Sequence, residues 1–81
     1  MKEKILRFIR EEYLDGSDPR EIDATTPLIS SGVIDSFSLV SLRRFVEREY
    51  GVSIPDNDVT VQAFDTVERI AELIGRYRLR P

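Results

Sequence analysis

Asp35-Ser36-Phe37-Ser38-Leu39-Val40-Ser41-Leu42-Arg43-Arg44-Phe45-Val46-Glu47-Arg48-Glu49-Tyr50-Gly51 reads as one amphipathic helix with its own start and stop. Asp35 suits the N-cap, because a short carboxylate accepts an N–H that the first turn leaves without a partner. Gly51 suits the position just past the end, where a left-handed backbone is favoured. Leu39, Leu42, Val46 and Tyr50 fall on one stripe, with Phe45 at its edge, and are expected to face a core. Phe37, Val40, Ser41, Arg44 and Arg48 lie broadly opposite, a mixed apolar and basic face expected to meet partners. The Ser36 hydroxyl stands at the helix start, beside backbone N–H groups with no intrahelical acceptor and at the positive end of the helix dipole. That setting suits a serine bearing a phosphate-linked group.

Working outward, Ile5, Phe8, Ile9 and Tyr13 recur at helical spacing among charged residues, with Leu6 and Leu14 widening the stripe. The breaker cluster Asp15-Gly16-Ser17-Asp18-Pro19 ends this first helix near Leu14. No period is visible from there to Ile34. A connection that long needs anchors, which Ile22, Leu28, Ile29, Val33 and Ile34 supply by dipping into the core; a short helical turn is expected over residues 19–22. Val52-Ser53-Ile54-Pro55 is extended by its β-branched residues and proline. A short helix or turn is expected within residues 56–62. Asp65-Thr66-Val67-Glu68 resembles a capping box with aspartate as the cap, opening a last helix whose inward stripe is Val67, Ile70, Ala71, Ile74 and Tyr77. The expected fold is all-α: an antiparallel four-helix bundle of three main helices and one short one, with a long loop between helices 1 and 2.

An 81-residue chain is expected to form one domain over residues 1–81, near the lower limit for a self-sufficient core. Its radius of gyration should be roughly 12 Å, with little room for a deep substrate cavity. The chain has no cysteine and no histidine. Thiolate nucleophiles, disulfides, the usual zinc sites and a Ser-His-Asp triad are thereby excluded. The net charge of −3 argues against general nucleic-acid binding. Arg69, Arg76, Arg78 and Arg80 near the end complement the negative pole of a helix. The Asp56-Asn57-Asp58 run lacks the ligand spacing of a calcium loop and reads as a helix start with a solvated face. No apolar run approaches a membrane span and the first residues lack a secretory signal core, so a cytoplasmic monomer without stable membrane insertion is expected.

The ordered fragments Thr26-Pro27-Leu28, Ser31-Gly32-Val33-Ile34-Asp35-Ser36, Val52-Ser53-Ile54-Pro55-Asp56 and Phe64-Asp65-Thr66-Val67 resemble the acyl carrier protein family over nearly the whole chain. The family is a small four-helix, non-catalytic domain that holds acyl or aminoacyl groups as thioesters. By this resemblance, a phosphopantetheinyl transferase would move 4′-phosphopantetheine from coenzyme A onto Ser36, with Asp35 serving both recognition and capping. The borrowed thiol suits a chain that has none of its own. The resemblance implies further partners that load, elongate and unload the arm: an acyl- or aminoacyl-loading ligase, a synthase and a thioesterase.

Two departures from the family's usual pattern stand out. Phe37 occupies a place usually held by leucine, and Arg43, Arg44 and Arg48 interrupt a helix that is commonly acidic. Both point away from the housekeeping carrier of fatty-acid synthesis and toward a dedicated pathway; the resemblance implies fatty-acid-like or specialised polyketide- or nonribosomal-type biosynthesis. A D-alanyl or aminoacyl carrier is the alternative within this class. An unmodified structural interaction module is the alternative outside it.

Overall fold

The computed structural model describes residues 1–14 and 21–78. Four α-helices follow in order: α1 (Lys2–Tyr13), α2 (Leu39–Tyr50), α3 (Val61–Phe64) and α4 (Val67–Arg78). One-turn 3₁₀ segments, Ser36–Ser38 and Asp56–Asp58, lead into α2 and precede α3. No strand occurs among the described residues. The chain is an all-helical bundle, as its periodicity predicts, and its radius of gyration is 12.1 Å.

Helix α4 is the hub, packing against α1, α2 and α3. Ile5 and Ile9 of α1, Leu42, Phe45 and Val46 of α2, Phe64 of α3, and Val67, Ile70, Leu73 and Ile74 of α4 meet in one core. Each such buried side chain stabilises the fold by roughly 1.5–3 kcal/mol relative to exposure. The stripes predicted for α2 and α4 are shifted slightly. Phe45 is a core residue rather than an edge one, while Leu39 and Tyr50 are only half-buried. The cause is Phe8, whose ring stacks on Phe45 at 3.9 Å and 14° and also receives the edge of Tyr13. In α4, Leu73 joins the core and Tyr77 packs at its margin, while Ala71 is only half-buried.

The long loop is ordered over its described part by the anchors expected of it. Ile22, Leu28 and Ile34 are buried, and Ile29 and Val33 pack against the core. Arg10 of α1 donates to the Ile22 carbonyl at 3.0 Å. The Asp23 carboxylate accepts from the Thr25 N–H and from the Thr25 and Thr26 hydroxyls, which holds it below its ordinary pKa. Gly32 takes φ 85°, a left-handed conformation that glycine adopts at no steric cost, while the Ile34 N–H returns to the Leu28 carbonyl at 3.0 Å. The turn expected over residues 19–22 falls mostly outside the described residues, and Glu21 and Ile22 are not helical.

Asp65 does not cap α4. Thr66 does, its hydroxyl accepting from the Arg69 N–H at 3.0 Å. The Asp65 carboxylate instead crosses to the loop, accepting from the N–H groups of Ile29 (2.8 Å) and Ser30 (2.9 Å) and from the Ser30 hydroxyl (2.8 Å). The capping-box pattern reports only neighbours in sequence, and here partners distant in the chain take the carboxylate. Partial burial pushes this carboxyl's pKa up, but the hydrogen bonds from Ser30, Ile29 and Leu28 outweigh that and hold it below the ordinary value. A second clamp ties α2 to the extended segment after it. Arg43 donates to Asp56 and to the Ile54 carbonyl, both at 2.6 Å, and the Ile54 N–H donates to Glu47 at 2.8 Å.

Candidate functional site

The start of α2 is built by Asp35. Its backbone is extended (φ −90°, ψ 166°), and its carboxylate accepts from the Ser38 N–H at 3.0 Å, the N-cap geometry expected from the sequence. The first turn is 3₁₀, tightened by the Leu39 N–H donating to the Ser36 carbonyl, and no residue of Ser36–Ser38 is buried. The capped Ser38 N–H is therefore not available to an anion, which trims the expectation of a fully open helix end. Among the described residues no acceptor takes the Ser36 or Phe37 N–H.

The serines nearby divide by what their hydroxyls do. Ser30 donates to Asp65, Ser31 to the Pro27 carbonyl and Ser38 to Asp35, while Ser41 shares a 2.7 Å hydrogen bond with Tyr13. The exposed hydroxyl of Ser36 has no hydrogen-bond partner among the described residues. A primary alcohol that is solvent-facing and unengaged fits a covalently attached phosphate-linked arm. Its attachment would break no internal contact.

Beside Ser36 lies an open groove of about 380 Å³ between α1 and α2. All five residues predicted for the partner face line it: Phe37, Val40, Ser41, Arg44 and Arg48. Phe37 is 88 % and Val40 58 % exposed, high values for large apolar side chains. Ser41 lies on this face with its hydroxyl already tied to Tyr13. Arg43, expected to share the basic character of the helix, is withdrawn from it into the clamp with Asp56 and Glu47. Sequence reasoning missed the contribution of α1: its Phe8 and Glu12, with the Phe45 ring of α2 beneath, complete the groove. Nothing in α1 marked them, since a core stripe and a solvated carboxylate look the same whichever neighbour they meet.

Asp56 opens a one-turn helix and stays on a solvated face, as expected, while both it and Asp58 also find partners. Asp56 pairs with Arg43, and Asp58 accepts from the Tyr77 hydroxyl. No group of three or more metal-ligating side chains occurs among the described residues, and no helix there is long and apolar enough to cross a membrane.

A small helical bundle with an exposed, unengaged serine at a helix start has the architecture a prosthetic-group carrier needs. The chain matches the phosphopantetheine attachment site family over residues 5–74 and belongs to it. It is thus a carrier rather than an enzyme, and its cofactor is covalently attached 4′-phosphopantetheine. Membership implies dealings with a modifying transferase and with biosynthetic enzymes. Among individual proteins, it is 28% identical over 81 residues to "Probable acyl carrier protein PigG" of Serratia sp. (strain ATCC 39006), an alignment covering 100% of this chain and 92% of that protein.

Proposed function

We propose that Ser36 is the attachment residue and that residues 1–81 act as one carrier unit, shuttling acyl or aminoacyl intermediates in a specialised, polyketide- or nonribosomal-like pathway. The observation that carries this reading is the free, exposed Ser36 hydroxyl, where the hydroxyls of its neighbours Ser30, Ser31, Ser38 and Ser41 are engaged. The likeness to a protein described as a probable acyl carrier supports an acyl cargo. When attached, the prosthetic group supplies the thiol on which that cargo rides as a thioester.

The chain's own residues have limited tasks. Asp35 fixes the first turn through its cap to Ser38 and so holds the Ser36 side chain outward, where a phosphopantetheinyl transferase can reach it. No base within the chain activates that hydroxyl: there is no histidine, and nothing described hydrogen-bonds it. Activation belongs to the transferase. Phe37, Val40, Ser41, Arg44 and Arg48 then offer a shallow docking face to a loading ligase, a synthase and a thioesterase in turn. Tethering raises the effective concentration of cargo at each active site without requiring tight docking.

The test is intact mass after incubation with coenzyme A and a broad-specificity transferase. One phosphopantetheine increment, absent from Ser36→Ala, is expected. An increment that persists in Ser36→Ala moves the attachment elsewhere, and none in the wild-type chain overturns the carrier role.

A further inference from the structure

The groove face of α2 has the opposite sign to the chain that carries it. The chain is acidic overall, at −3, yet Arg44 and Arg48 project from one face at i,i+4 spacing, and Glu12 is the lone carboxylate lining the groove. Like charges at that spacing weaken a helix. On the same helix Arg43 is matched by Asp56 and Glu47, and on α1 Lys4 is matched by Glu49 at 2.9 Å. Among the described residues neither Arg44 nor Arg48 has a carboxylate within ion-pair distance. Beside them stand Phe37 and Val40, the two most exposed large apolar side chains among the described residues.

From this juxtaposition we infer that the loading enzyme docks here through an acidic surface surrounding an apolar recess, its carboxylates meeting Arg44 and Arg48 while Phe37 enters the recess. The inference rests on the carrier reading above and adds the chemistry of the partner. Arginine and aromatic side chains are the residue types that most often dominate docking energy. Complementary charge sets the encounter rate and rejects partners of the wrong sign. The arginines do not serve the attached phosphate as a pair, because at 1.5 Å rise per residue Arg48 lies about 18 Å along the helix from Ser36. A lipid surface is the poorer match, since anchoring there calls for a longer apolar face and a larger basic cluster.

The probe is the loading ligase purified from the native cell as the activity that acylates the modified chain. Each carrier is first converted to the phosphopantetheine form and checked by mass. Arg44→Glu/Arg48→Glu is expected to lower kcat/KM for loading about tenfold, mainly through KM, and Arg44→Lys/Arg48→Lys to retain most of it. Loading of the wild-type carrier should weaken steadily from about 0.05 M to about 0.5 M salt, independently of any variant. Salt-insensitive loading, or faster loading by the glutamate variant, overturns the acidic partner while leaving the carrier role standing. Two further results also overturn it: binding of the wild-type chain to anionic phospholipid vesicles that the glutamate variant loses, or a dimer that the variant splits. A wild-type chain that takes no phosphopantetheine removes both readings, so the two failures are told apart.

Discussion

Asp35-Ser36-Phe37-Ser38 and Asp65-Thr66-Val67-Glu68 are near-copies in chemistry, each an aspartate, a hydroxyl residue and an apolar residue at a helix start. Their roles are exchanged. At the first, the aspartate caps the helix and the hydroxyl is left free. At the second, the hydroxyl caps the helix and the aspartate leaves it to fasten the loop. Phe37 is 88 % exposed, whereas Val67 is fully buried. The α4 start is covered by the loop, whose Ala24 carbonyl takes the Glu68 N–H at 2.9 Å. What surrounds a helix start, rather than its own residues, decides whether its hydroxyl is tied into the fold or left free.

The largest separation of the two starts is chemical. Ser36→Ala should abolish phosphopantetheine attachment while stability stays within about 0.5 kcal/mol, the usual range for an exposed site. Intact mass and urea unfolding together check both halves. Next comes packing: Val67→Ala should cost about 2 kcal/mol in urea unfolding, and Phe37→Ala about 0.5 kcal/mol or less. Phe37→Ala should nevertheless slow loading by partner enzymes with the helical circular dichroism unchanged.

Smaller effects concern the polar groups. Thr66→Ala removes a cap, for which about 1 kcal/mol is expected, with attachment to Ser36 untouched. Asp65→Asn should cost a similar amount, about 1 kcal/mol, because the amide oxygen still accepts from the loop but without charge assistance. The pH dependence sharpens this last variant. The folded Asp65 carboxyl titrates below its ordinary value of 3.8, so its contribution is complete above that value. It is lost as pH falls through the lowered folded pKa, because the unfolded state then takes up the proton first. Stability curves of wild type and Asp65→Asn, followed by chemical denaturation, should therefore converge on acidification.

Much of the molecule was legible beforehand, for reasons that differ by element. Helices α1, α2 and α4 announce themselves because apolar spacing reports a buried face whatever it packs against. Gly51 marks the end of α2 and adopts φ 64°, the left-handed value that the stop required. The margins of those faces were not legible. Phe45 moved inward because Phe8 stacks on it, and Leu73 joined the core where α4 meets its neighbours. Arg43 illustrates the same limit for charge. Along the sequence it matches Arg44 and Arg48, yet the fold spends it on Asp56 and Ile54, leaving a basic pair where the residues suggested a trio.

The sequence by itself determined the helices, their caps at Asp35 and Gly51, the hydroxyl that follows Asp35, and a chain with no thiol or imidazole to act alone. These depend on contacts within a turn or two of helix and on which atoms the side chains possess. The tertiary structure alone decided that the hydroxyls of Ser30 and Ser41 would be engaged and which cations would stay unpaired. Ser30 meets Asp65 across 35 residues and Ser41 meets Tyr13 across 28, partnerships that arise only once distant segments pack together. Ser36 remains open because, among the described residues, no such segment donates to or accepts from its helix start as the loop does at α4.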